Sequence, residues 1–147
     1  MPHYWLLKSE PSVYSYDQLV RDGRTNWNGV RNFQARNFLK EACVGDLALI
    51  YHSNEGKAVV GIAKVAREAY ADPDPEMPGE WMQIDITPVE KFELPVTLEQ
   101  IKKTPKLKDL LLIKQSRLSV MPVSKTHFDL IVKIGRMGKM GQKVKKK

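Results

Sequence analysis

The chain holds one cysteine, Cys43, among its 147 residues. An internal disulfide and any cysteine-rich zinc site are therefore excluded. Histidine is nearly as scarce. His3, His52 and His127 stand far apart with no HxxxH-type spacing, so a metal centre would have to draw on carboxylates. No apolar run approaches the roughly 20 residues of a membrane-spanning helix. The opening Met1-Pro2-His3-Tyr4-Trp5 has no basic stretch leading into an apolar core, so no secretory signal is expected. These absences point to a reducing compartment. No GxSxG elbow is present, and Gly135, Gly138 and Gly141 follow a helical pattern instead of opening one, which argues against a phosphate loop.

What the sequence does have is charge, unevenly placed. Its net charge is +7, and residues 133–147 hold seven of the 24 basic side chains and no acid. The rest of the chain is neutral overall, with 17 acids against the other basic residues. Within it, residues 65–99 carry nine acids against two bases, and residues 100–132 seven bases against two acids. Such asymmetry lets a polyanion meet one side while the acidic segment faces away. The length suits one domain with its own core, here residues 1–135, followed by a basic, disordered tail at 136–147.

Local signals define the elements. Tyr4 to Lys8 reads as a strand ended by Pro11. Ser15 to Gln18 has the capping-box form, and Gly23 stops the short helix that follows. Ala35, Phe38, Leu39 and Ala42 share a helical face, with Phe33 on the far side. Asp46 to His52 and Lys57 to Ala69 form a hairpin, with Gly61 marking a bulge or a close backbone approach. Residues 71–80 form a solvated acidic loop, and Met82, Ile84 and Ile86 alternate along the next strand. Thr97 to Gln100 is a second capping box, residues 104–117 are ambiguous, Leu118 to Val123 is the last strand, and Ser124 caps a final helix. Hairpins dominate and no βαβ phosphate-binding turn is evident. The expectation is an α+β domain on an antiparallel sheet curled into a small barrel with flanking helices.

Cys43 lacks a paired base and reads as a buried structural thiol. His52 and Ser53 are strand neighbours whose side chains point to opposite faces, so a Ser–His catalytic pair is not expected. Trp5 and Trp81 read as strand core. Trp27 does not: it sits among polar residues, beside Asn28, Arg31, Asn32 and Arg36. Flat aromatics stack on planar ligands, amides read hydrogen-bonding edges, and arginines hold phosphates. That combination suits an unstacked nucleobase.

Three stretches carry a family resemblance: Trp5-Leu6-Leu7-Lys8-Ser9-Glu10-Pro11, Trp27-Asn28-Gly29-Val30-Arg31-Asn32-Phe33-Gln34-Ala35-Arg36-Asn37, and Gly45-Asp46 with Tyr51-His52-Ser53. Together with Gln115 to Val123 they resemble the EVE domain over residues 3–135. The resemblance implies a PUA-like mixed pseudo-barrel with flanking helices, related to YTH and ASCH domains. It implies a non-enzymatic module that reads a modified cytosine or adenine of nucleic acid, DNA or RNA, in an aromatic-walled pocket, with no cofactor and no metal. Carried over by position, Trp27 is a pocket wall, Ser9, Glu10 and Asn32 frame the base edge, and Tyr51, His52 and Ser53 line the mouth. Arg31, Arg36 and Arg117 meet phosphate. Phe33 stands where many relatives carry tyrosine, so a hydroxyl role there is lost. The chain is expected to be monomeric, without membrane contact, and a nuclease or other effector protein is a further partner class. The form resembles the bacterial one, which implies the cytoplasm, or the nucleus in a eukaryote. An RNA- or small-molecule-modifying enzyme using the same pocket, and an interaction domain with a vestigial pocket, are the competing classes. The lack of an activated nucleophile favours the reader.

Overall fold

In the computed structural model, which describes residues 3–54 and 56–145 with side chains as far as Met137, the capping signals open helices. Ser15 Oγ accepts from the Gln18 N–H, and the Ser15 N–H donates to Gln18 Oε1, opening α1 (Tyr16–Asp22); Gly23 closes it at φ 73°. Asn32 opens α2 (Phe33–Glu41), and Thr97 with Gln100 opens α3 (Leu98–Lys102). The ambiguous stretch resolves into a 3-10 turn at Pro105–Leu107 and the short α4 (Leu111–Lys114). Ser124 Oγ accepts from the His127 N–H at the head of α5 (Lys125–Lys145). Helical backbone thus runs to Lys145, across the segment read from the sequence as a disordered tail. The side chains of residues 138–147 lie outside the described residues. Gly135 keeps α5 against the sheet, since a Cβ there would sit 2.6 Å from the Phe92 ring.

The strands are β1 (Tyr4–Ser9), β2 (Thr25–Trp27), β3 (Leu47–His52), β4 (Ala58–Ala71), β5 (Met82–Thr97) and β6 (Val120–Val123). They form one sheet in the order β2-β5-β4-β3-β1-β6. One pair departs from the antiparallel expectation: β1 and β3 run parallel, with Ser9 beside His52. The chain between them crosses over through α1, β2 and α2, the long connection a parallel pair requires. The sheet is therefore mixed.

Register shifts along β4 and β5 bend the two longest strands. Gly61 lies at one of them. A Cβ there would come 2.7 Å from Glu90 O and 2.8 Å from the Tyr16 ring, so the glycine lets Tyr16 cross the strand and donate to Ile62 O at 2.7 Å. The bending brings the sheet's two ends together: β2 at one edge and β1 with the approach to β6 at the other face one cavity. This is the α+β, PUA-like pseudo-barrel with flanking helices that the resemblance implies.

Leu6, Leu49, Ile84, Ile86, Met121 and Ile131 are core side chains. Trp5 is core as expected and donates its indole N–H to Asp46 Oδ2 at 2.9 Å. The buried Asp46 carboxylate also accepts the His3 and Cys43 N–H groups. Cys43 itself is exposed, which corrects the buried-thiol reading: its backbone N–H is anchored on Asp46, and its thiol makes only a long, exposed contact to Glu41 O at 3.6 Å. The start of β5 is buried on both faces, more than its alternation predicts. Gln83 and Asp85, on the face opposite Ile84, are buried because Asn26 Nδ2 donates to Gln83, while Arg24 and Tyr70 cover Asp85.

Candidate functional site

The cavity between the sheet edges measures about 400 Å³. The end of β1 supplies Lys8 and Ser9, the following turn Val13 and Tyr14, β2 and its exit Thr25 to Arg31, and the start of the last strand region Ser119. Such a volume lies within the roughly 300–1,000 Å³ of small-ligand sites.

Trp27 is both wall and core. It is 8% exposed and belongs to the hydrophobic cluster, yet it lines the cavity. Tyr14 meets it edge-on, with centroids 6.4 Å apart at 85°, and the Tyr14 hydroxyl donates to Asp22 Oδ2 at 2.7 Å. The two rings make an aromatic corner held by a hydrogen bond. Ser9 Oγ donates to Tyr14 O at 2.7 Å, while Glu10 O accepts the Val13 and Tyr14 N–H groups, so this turn is locked by its own backbone. The Ser9 hydroxyl retains acceptor capacity. Glu10 is exposed and outside the cavity lining.

Lys8 adds a cation that the sequence reading did not assign. Its Nζ donates to Ser116 O at 2.6 Å and lies 5.8 Å over the Tyr51 ring, and burial lowers its pKa. The opposite wall is held by the acidic loop, which folds onto the domain instead of standing in solvent. Asp72 is buried, and its Oδ2 accepts from the Gly29 N–H and from Arg31, both at 2.9 Å. Burial opposes the Asp72 charge, but these donors outweigh it and hold the carboxyl below its ordinary pKa. Arg31 also bonds Asp74 at 3.2 Å and lies 5.4 Å over the Trp81 ring; the Asp72 bond raises its pKa. Phe33, half exposed, stacks on Trp81 at 5.0 Å and 22°, and Arg36 lies 5.0 Å over Phe33 while pairing with Glu80. Two of the three arginines read as phosphate contacts are thus engaged by this loop.

Of the residues read from the sequence as the site, Trp27, Ser9 and Arg31 meet at this cavity. Asn32 and Arg117 line a neighbouring cleft, where Asn32 Oδ1 is committed to capping α2 through the Ala35 N–H at 2.9 Å. Tyr51 is buried, and it and Ser53 border a separate cavity that shares Lys8. His52 faces another beside Asp17 and Lys91, where its Nε2 accepts the Tyr16 N–H at 3.1 Å. Burial lowers the His52 pKa, in keeping with that acceptor role. Tyr14 and Ser119 reach the cavity without having been assigned to it. Tyr14 carries one sequence signal, its place just before a capping box, where a bulky residue staples the helix entry. Ser119 carries none.

Comparison with known proteins places these features. The EVE domain model matches residues 3–134. Mouse thymocyte nuclear protein 1 is 32% identical over 91% of this chain and 74% of its own length. A hypothetical protein from Leishmania major superimposes with a TM-score of 0.90 at 35% identity, covering 95% of this chain and 98% of that one. Human THYN1, solved in complex with 5-methylcytosine-containing DNA, superimposes with a TM-score of 0.83 at 29% identity, covering 90% and 97%. With its family model spanning nearly the whole body and the same fold recurring in its relatives, the chain belongs to the EVE domain family.

Proposed function

We propose that this protein binds nucleic acid and seats one modified base, cytosine or adenine, in the cavity between the two edges of its sheet. The observation that carries this reading is the Trp27–Tyr14 corner, an aromatic wall opening on a cavity with fixed polar groups. A base stacked on such a wall gains about 1–3 kcal/mol irrespective of sequence. The Ser9, Thr25 and Ser119 hydroxyls and the Asn28 amide can then discriminate its edge. The relative solved with 5-methylcytosine-containing DNA supports this choice of ligand. Among the described residues the lining holds no imidazole, thiol or carboxylate, which supports recognition over catalysis.

The test is a titration, at one stated salt concentration, of oligonucleotides carrying 5-methylcytosine, N6-methyladenine or no modification. A preference of about tenfold or more for one modified strand is the expected result. Equal affinity for all three strands overturns the reading.

A further inference from the structure

A second cleft, of about 340 Å³, opens beside the base cavity. Asn32 and Gln34 at the start of α2 form one side of it, and Lys114, Gln115, Ser116 and Arg117 the other. Two chain segments pass directly from one space to the other: Arg31 lines the first and Asn32 the second, while Ser119 lines the first and Leu118 the second. Consecutive Cα atoms are about 3.8 Å apart, so the two spaces adjoin along both segments. Lys8 ties them together, its Nζ bonded to Ser116 O and its N–H to Ser119 O.

The two spaces differ in charge. Arg31 and Arg36 are matched by Asp72, Asp74 and Glu80. Among the described residues the second cleft is lined by no acid, and the first turn of α2 contains none. Arg117 is exposed, and among the described ion pairs none involves it. Lys114 reaches Asp109 at 3.3 Å, but both side chains are more than half exposed, and such a pair contributes little and exchanges readily. Two available cations, flanked by side-chain amides and a hydroxyl, suit a phosphodiester.

We propose that this cleft holds the phosphodiester adjoining the bound base, with Arg117 and Lys114 as its cations, and that Arg31 and Arg36 serve the fold of the acidic loop instead. The proposal rests on the base-binding reading above. It also sets a path for the strand, away from the acidic loop and along the 114–119 segment.

The experiment compares the preferred modified nucleoside, its 3′- and 5′-monophosphates, and a single-stranded oligonucleotide carrying it. Each is titrated against the full chain, the Lys114→Gln/Arg117→Gln double variant, and Arg36→Gln as control. Both altered residues of the double variant are exposed, and its melting temperature is measured alongside. One monophosphate is expected to bind the full chain roughly tenfold more tightly than the nucleoside, and the double variant to lose that gain with nucleoside affinity unchanged. The log–log salt dependence of oligonucleotide binding is expected to flatten by about 0.7 per lost contact. Arg36→Gln should change neither. If the nucleoside binds but phosphate adds nothing, or the double variant keeps the gain, the phosphate site is overturned and the base cavity stands. If the full chain binds neither nucleoside nor oligonucleotide, both readings fall.

Discussion

Asp72 Oδ2 accepts the Gly29 N–H at 2.9 Å, a hydrogen bond that ties the acidic loop to the wall of the cavity. Arg31 closes on the same oxygen, so one carboxylate fixes two neighbouring points of the segment that follows Trp27. Asp72→Asn is expected to cost about 1–2 kcal/mol in urea unfolding, less than a fully buried pair because the Arg31 side chain is partly exposed. Base affinity should fall with it. The folded Asp72 pKa lies below the unfolded value of about 3.9. Its stabilisation is therefore complete above that value and is lost as pH falls through the folded pKa; the Asn variant should lack this part of the acid dependence.

His52 gives a pH dependence in a higher window. Its Nε2 accepts the Tyr16 N–H, and burial, opposed by Asp17 and reinforced by Lys91, lowers its pKa from the ordinary 6.5. The unfolded chain takes up a proton near pH 6.5, which the folded His52 takes up only at lower pH. Stability should thus decline as pH falls from about 6.5 toward the folded value. His52→Gln retains an acceptor for Tyr16 and should flatten that slope in denaturation curves recorded across this range. An unchanged slope assigns it to other groups.

Gly61→Ala should destabilise by about 1–3 kcal/mol, because both the Tyr16 ring and the Glu90 carbonyl stand where the methyl would go. Gly23→Ala meets open space and is penalised only through its positive φ, by about 1 kcal/mol. A Gly61→Ala midpoint at or above that of Gly23→Ala would show that the strand bend yields easily.

Cys43→Ser should leave stability within about 0.5 kcal/mol of the original, since the thiol is exposed and the anchoring bond belongs to the backbone N–H. A loss above 1 kcal/mol in urea unfolding would contradict that placement.

Local chemistry made much of this fold readable. Ser15 with Gln18, Thr97 with Gln100, and Gly23 act within a few residues of themselves, so their helices follow from short-range geometry. Trp27 stood out because its neighbours are polar. What escaped was long-range. The parallel β1–β3 pair sends His52 to a separate cavity, although it lies beside Ser9 on the next strand. The acidic loop reads as solvated until Asp72 meets an N–H 43 residues away. Lys8, Tyr14 and Ser119 come from three segments, and only the curl of the sheet makes them neighbours of Trp27.

Trp27 is too deeply packed for an alanine variant to separate binding from folding, since removing a core tryptophan costs roughly 3–5 kcal/mol. The most direct test therefore leaves the protein intact and follows its three indole N–H signals by NMR during titration with the preferred modified nucleoside, Trp27→Leu identifying the Trp27 peak. The Trp27 signal is predicted to shift with saturation while that of Trp5, bonded to Asp46 away from the cavity, stays in place. Saturable binding that leaves the Trp27 signal unmoved, or no binding at all, would contradict the claim that this cavity holds the base.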